Sequence, residues 1–491
     1  MRKYLNQYRK LFLGLFIVGM FTGGCKKFIE VDPPVTAITD GNVYDNDGSA
    51  ISALMGIYTS MSNERFSGKL SFYSELSADN LTLLNLSAAE ISYYQNSLLP
   101  TDQREPYKPW LEIYPQLYRV NAAIEGLTEA TRVTSTVKQN LLGQAYFLRA
   151  FFYCYLTNFY GEVPLALTKD YAVNNSLTKS SVENVYNQIV SDLQKAQELS
   201  SKDYVMGDMI RTFTAANAQR VTPNYYAVKA LQARVYLYQK KWADADAAAS
   251  EVINNTSLYK SDIPLKNVFL KNSTETIWGL QPIAVNNNST EADFFTLRSG
   301  DPNPTSPMSH YLSDDLMNTF QTGDQRKVQW TAIINTNGKD YPYAAKYKAL
   351  SNTDFVEQSI LMRLGEQYLI RAEARIQNNN ISSGIADLNV LRDRATDKNE
   401  QNQSKRLKLL ETNLSKEQAL TALNYERRVE LFTEVAHRWF DLKRSGNINA
   451  VMTPATASKG GTWSEYKSLY PIPVSEIQNN SKLTQNTGYP N

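Results

Sequence analysis

Few side chains in this 491-residue sequence are of types that do chemistry, and their spacing narrows the choice further. The two histidines, His310 and His437, form no His-Glu-x-x-His pattern and have no cysteine companions, so a zinc site lacks a ligand set. The serine elbow of many hydrolases, the Gly-rich phosphate loop and the dinucleotide fingerprint are missing. "DNDG" at 45–48 has the carboxylates that could start a calcium loop but not the later ligand positions; it reads as a turn and helix cap. No cofactor is expected, with a loop-bound calcium kept as an alternative. Glu430 and Glu434 are four residues apart in "YERRVELFTEVAHRWFDLKR" and share a helix face. Two carboxylates suffice for glycoside hydrolysis. The same stretch supplies Arg427, Arg428, Arg438, Asp441 and Arg444, however. Guanidinium neighbours lower a carboxylate pKa, whereas a general acid needs it raised. The pair is therefore read as part of a charged network docking this helix, and His437, beside Trp439 and Phe440, as a packed side chain.

The cysteines are chemically distinct. Arg2, Lys3, Arg9 and Lys10 precede "LFLGLFIVGMF", an uncharged run shorter than the ~20 apolar residues that span a bilayer. A basic stretch, a short apolar core and then Gly23 and Gly24 form the pattern of an export signal. Cys25 follows where a lipoprotein signal peptidase would cut, and the stretch resembles a bacterial lipobox, with Thr22 where Leu is commonest. A thioether-linked diacylglycerol and an acylated amine would anchor the chain, at ~0.8 kcal/mol per buried CH₂. An ordinary secreted protein with a stray cysteine is the alternative. Cys154, in "FFYCYL", reads as a small buried apolar residue.

Charge excludes a further class. The whole chain carries +2, and removal of the four basic residues of the signal turns that into −2, which gives no electrostatic case for nucleic acid. What remains is binding. The 31 tyrosines and Asn-rich loops suit sugars, whose C–H faces stack on aromatic rings and whose hydroxyls meet polar side chains. Candidate ligand residues are Asp79, Asn80, Tyr93 and Tyr94 in 74–97, and Phe294, Phe295, Tyr311 and Trp330 in the segment around 290–343. Most tyrosines must nevertheless pack between helices.

Helices have to position these residues. "SAISALMGIYTSM" has helical spacing at Ile51, Leu54, Met55 and Tyr58, with Ser49 as N-cap. "GQAYFLRA" (143–150) and "GEQYLIRA" (365–372) match at Gly, Tyr, Arg and Ala, and "ARVYLYQK" (233–240) keeps the rhythm. Small residues let paired helices approach while Tyr fills the groove, the logic of tetratricopeptide repeats. Helical pairs are expected at 115–158, 182–200 with 224–239, 242–254 and 360–395, and one long helix at 415–444. The chain divides into a signal (1–24), a lipidated tether (25–48), an N-terminal region with most repeats (49–259), an irregular ligand-side insert (260–358) and a C-terminal region (359–491). "ETIWGLQPI" and "VQWTAII" read as strands in or near the insert. An insert that long is functional or disordered, and its aromatic content argues against disorder.

Pieces spread along the whole chain resemble the SusD/RagB family of outer-membrane nutrient-binding lipoproteins. They include "CKKFIEVDPP", "GQAYFLRAFFYCYLTNFYGEVPL", "RVTPNYYAVKALQARVYLYQKKWADA", "RLGEQYLIRAEARI", "ERRVELFTEVAHRWFDLKRSG" and the terminal "LYPIPVSEIQNNSKLTQNTGY". Gly365 stands where the family usually has Ala. The resemblance implies a mostly α fold of about four tetratricopeptide-like helical pairs forming a superhelix, packed on a loop-rich portion with a few short strands. It also implies a surface-facing outer-membrane lipoprotein that captures oligosaccharide and acts as a lid on a SusC-like TonB-dependent transporter. The same role for peptides is one alternative; a lipid-anchored hydrolase with an unfamiliar site is another.

Overall fold

The computed structural model describes residues 43–85, 89–102, 107–283, 288–303, 308–349 and 355–490. The signal, Cys25 and nearly all of the tether lie outside the described residues. The chain separates into two units, 1–43 and 44–491, and every helix and strand among the described residues belongs to the second.

Helix α1 (Asp47–Asn63) opens on "DNDG" as a cap: Asn46 is extended and its Oδ1 accepts from Ser49 N at 3.0 Å. The expected cap, Ser49, is instead inside the first turn, because Asn46 already has the cap's backbone and caps as well as Ser does. Asp47 accepts from Thr134 N and Oγ1, and Asp45 pairs with Arg132, so the DNDG carboxylates pin α1 to the turn before α4. Helix α2 (Phe66–Ser77) is buried almost throughout. Ser71 and Ser77 return their hydroxyls to carbonyls four residues back, which lets a polar helix sit in the interior.

The repeats follow in chain order: α3 (Pro109–Glu129), α4 (Ser135–Tyr160), α5 (Val182–Leu199), α6 (Tyr225–Tyr238), α7 (Trp242–Ile253), α8 (Leu364–Gln377) and α9 (Ile381–Arg394), each packed on the next. The arrangement is the tetratricopeptide-like stack expected. Small residues set the crossings: Ala245, Ala248 and Ala249 of α7 meet Ala233 of α6 and Ala374 of α8. Gly384 lets α9 approach α8, since a Cβ there would lie 2.6 Å from Ile376 Cγ1 and 2.8 Å from Ala372 O. Tyr236 and Tyr368 pack half-buried at these seams.

Helix α10 (Lys416–Leu431) covers α8 and α9. The single helix expected over 415–444 breaks here. Thr433, Val435 and Ala436 take positive φ before α11 (His437–Arg444) and α12 (Ile448–Ser458) resume. Buried polar groups of α2 hold the break: Thr433 N donates to Glu75 Oε1 at 2.9 Å and Val435 N to Ser71 Oγ at 2.8 Å.

Among the described residues six short strands form three antiparallel pairs: β1 (Leu81–Leu83) with β3 (His310–Leu312), β2 (Thr276–Leu280) with β6 (Ser359–Arg363), and β4 (Thr331–Thr336) with β5 (Lys339–Ala344). The first two pairs join the insert to sequence on either side of it. β2 and β6 are wholly buried.

Candidate functional site

The acidic pair comes first because its chemistry would be the most consequential. Glu430 and Glu434 are interior. Arg363 donates Nη1 to Glu430 Oε1 at 2.6 Å and Nε to Glu434 Oε2 at 2.7 Å. Arg394 and Arg326 complete the shell of Glu430, and Lys346 that of Glu434. Burial pushes the Glu430 carboxyl up, but the Arg394, Arg363 and Arg326 guanidiniums outweigh it and hold it well below the usual carboxylate range. An ionised carboxylate locked by three guanidiniums is no general acid. The partners expected from the same helix are used elsewhere: Arg427 and Arg444 bind Asp441, while Arg428 and Arg438 bind Asp79. His437 is buried, and burial with the nearby Arg234 and Arg427 charges pushes its pKa well below the usual histidine value. Burial raises the Cys154 thiol to about 12, which makes it inert.

Six of the eight expected ligand residues are interior. Asp79 receives Arg438 in a bidentate pair, with both distances 2.7 Å, and Asn80 accepts from Arg428 Nε at 3.0 Å. Tyr93 gives its hydroxyl to Tyr107 O and packs on Tyr73. Tyr94 lies under the Lys459 ammonium at 4.9 Å. Phe295 is buried beside Phe72. Trp330 is 1% exposed and donates to Leu265 O at 3.0 Å. As ligand contacts these six are redrawn as core: residue type marks a ring as able to stack, but burial decides whether it has a free face. Phe294 and Tyr311 keep part of their surface.

Around Tyr311 the chain does assemble an aromatic face. Tyr311 on β3 stands edge-on to Tyr341 on β5, with centroids 5.1 Å apart. Lys339 lies over both rings, at 5.7 and 5.0 Å. Tyr343, two residues beyond Tyr341, points to the same side of β5 and is also half-buried. Asn335 donates to Asp340 at 2.7 Å across the same hairpin, on the face opposite the rings. Tyr341 and Tyr343 belong to the aromatic content of the insert; the two-residue spacing on a hairpin strand was the signal that they share a face.

A larger cleft of about 1000 Å³ lies where α9 meets loops 261–266 and 396–399. Its walls mix amides (Gln325, Gln329, Asn389), acids (Asp393, Asp397), cations (Lys266, Arg394, Lys398) and aliphatics, with no aromatic ring among the described residues that line it. It offers an extended backbone many partners but gives a sugar ring no platform. Among the described residues no group of three or more His, Cys, Asp or Glu could hold a metal ion.

Residues 325–489 match the model of the SusD family, and 27–237 match a model described as starch-binding associating with outer membrane. The SusD-like protein P38 of Formosa agariphila is 22% identical, with 100% of each chain covered. The starch-binding protein SusD of Bacteroides thetaiotaomicron is 34% identical over 34% of this chain and 29% of its own. Among solved structures, a SusD superfamily protein from Bacteroides vulgatus has a TM-score of 0.73 at 18% identity, covering 90% of this chain and 99% of its own. A laminarin-binding SusD-like protein has a TM-score of 0.69 at 22% identity, covering 91% and 100%. These likenesses concern the fold.

Proposed function

The chain belongs to the SusD/RagB family, and from that premise we propose that it is a cell-surface lipoprotein that binds oligosaccharide and delivers it, as a lid, to a SusC-like TonB-dependent outer-membrane transporter. The observation that carries the sugar reading is the Tyr311–Tyr341 pair with Lys339 across it, an aromatic face left part-open on a strand hairpin. Relatives described as starch-binding and laminarin-binding support the ligand class. The outer-membrane association comes from the family description of residues 27–237, and the anchor from Cys25. Binding without bond cleavage is supported by the locked, interior Glu430 and Glu434.

A peptide ligand is the second reading. The polar and charged cleft at α9, without aromatic rings, favours it, because an extended peptide seeks polar partners and not ring faces. Calorimetry with pools of oligosaccharides and of peptides separates the two. Heat with oligosaccharides that disappears in Tyr311→Ala/Tyr341→Ala supports the sugar reading. Heat with peptides alone replaces it with the second.

A further inference from the structure

A pocket of about 240 Å³ opens where α3 meets the 164–175 segment and the terminal turn at 476–483. Trp110, Tyr114 and Tyr118 line it from α3. They are spaced by four, so they run up one face of the helix. The first two rings are in contact, with centroids 4.7 Å apart, and each is held by a hydrogen bond at the pocket wall. Trp110 Nε1 donates to Glu476 Oε2 at 3.3 Å, and the Tyr114 hydroxyl to Pro164 O at 2.9 Å. Tyr118 and, from the opposite wall, Tyr171 are open to solvent, 49% and 74% exposed. Solvent-facing rings beside a fixed aromatic floor form a platform of the kind that marks a ligand site.

The polar lining matches. Asn174, Asn175, Asn479 and Asn480 all border the pocket. Asn174 Nδ2 donates to Thr168 O at 2.7 Å, but its Oδ1, shielded from solvent, accepts from no protein group. A hydroxyl donor from a ligand would satisfy it. Neither lysine nor arginine lines the pocket among the described residues, and Glu476 is its one acid. That lining suits a neutral polyhydroxyl compound and disfavours phosphates, sulfated sugars and uronates. The volume is below the ~300–1,000 Å³ of drug-sized sites, so it accommodates one or two sugar rings.

We propose that this pocket is a second subsite for neutral sugar, built on elements that carry none of the β3–β5 face, so that a long glycan is gripped at two places. The proposal rests on the oligosaccharide reading of the protein's function. Two-point attachment raises avidity for a polymer without tightening either site.

The test is calorimetry on the full soluble chain with a panel of oligosaccharides cut from plant, algal, fungal and host polysaccharides, followed by affinity electrophoresis in the parent polymer. Wild type is expected to bind at two sites. Tyr171→Ala/Asn174→Ala, on an exposed segment, is expected to bind at one, with about tenfold or greater loss of polymer retardation and an unchanged melting temperature. Tyr311→Ala/Tyr341→Ala should leave the complementary site. If wild type binds the panel and the Tyr171/Asn174 variant keeps its stoichiometry and retardation, this pocket is no sugar site, while the general reading stands. If wild type binds none of the panel, both fall. If the variant keeps all sugar binding but loses co-purification with a barrel, the face is a protein dock and the proposal is overturned.

Discussion

Arg149 on α4 grips Asp192 on α5 through two parallel bonds, Nε to Oδ2 at 2.9 Å and Nη2 to Oδ1 at 2.7 Å, with both side chains buried. Arg371, at the matching place in the repeat of α8, does the same with Asp387 on α9. A planar guanidinium fits a carboxylate in this way and an ammonium does not. Arg149→Met should leave Asp192 buried and unpaired, at a cost of ~3–5 kcal/mol. Arg149→Lys should recover only part of it. Chemical denaturation of the three proteins measures the order; a near-neutral Arg149→Met would deny the pair its role in docking the repeats.

That pair also shows what the sequence made legible. The shared Gly, Tyr, Arg and Ala of 143–150 and 365–372 mark two equivalent turns of the helix stack, and both fold alike. Asp192 and Asp387 each precede a leucine in the next helix, "SDL" and "ADL", which was the available signal for their pairing. The break at 432–436 carried no such mark. No Gly or Pro stands in "FTEVA", and the positive φ values are held by Ser71 and Glu75, more than 350 residues away in the chain. The candidate site was legible as a region. Within it, Tyr and Trp look alike by type, and only packing separates Trp330, enclosed by Leu265, Phe269 and Lys346, from Tyr311 at the surface.

Gly365 has a local reason to be glycine. A Cβ there would press on Arg363 Nη1 and come within 3.0 Å of Glu430 Oε1. Gly365→Ala should therefore displace the Arg363 fork and lose ~1–3 kcal/mol, as overpacking commonly does. A double-mutant cycle with Arg363→Met checks the mechanism: the two losses should be markedly non-additive. Additivity would place the strain elsewhere.

His310 gives a pH dependence with a defined sign. Burial, which outweighs the Phe294 carbonyl and Asp301, pushes its pKa down to about 4. The ring packs on Phe72 at 4.6 Å, and Nε2 is 2.7 Å from Phe294 O. Between about 6.5, the ordinary value, and about 4 the unfolded chain takes up a proton that the folded one refuses. The neutral ring's contribution is complete above about 6.5 and is lost as pH falls through that window, roughly 3 kcal/mol in all. His310→Phe should be less stable than wild type at pH 7, and the gap should narrow or reverse by pH 4. Parallel curves of melting temperature against pH would contradict this.

Tyr311 and Tyr341 are both part-buried on the hairpin, so removing either ring costs some stability as well as any stacking on a ligand. Each Tyr→Ala change should weaken oligosaccharide binding about tenfold, ~1.4 kcal/mol, measured well below the melting temperature of each variant. Lys339→Met should act in the same direction but less strongly, since the cation lies over the rings and its loss leaves them in place. Unchanged affinity in Tyr311→Ala/Tyr341→Ala, for a glycan that wild type binds, would move the sugar site off this hairpin.

In the proposed reading Cys25 carries the anchor. The thiol follows Gly23 and Gly24 behind an apolar run too short to span a bilayer, so on that reading stable attachment would depend on acyl chains and not on the peptide. Lipid chains hold by burial of CH₂ groups, which salt does not screen, whereas a basic surface patch would let go at high ionic strength. Cys25→Ala should move the protein from the membrane pellet to the soluble fraction, while wild type should stay in the pellet through a high-salt wash and enter the detergent phase on partitioning. A Cys25→Ala protein that still pellets at high salt would show that something other than the thiol carries the anchor.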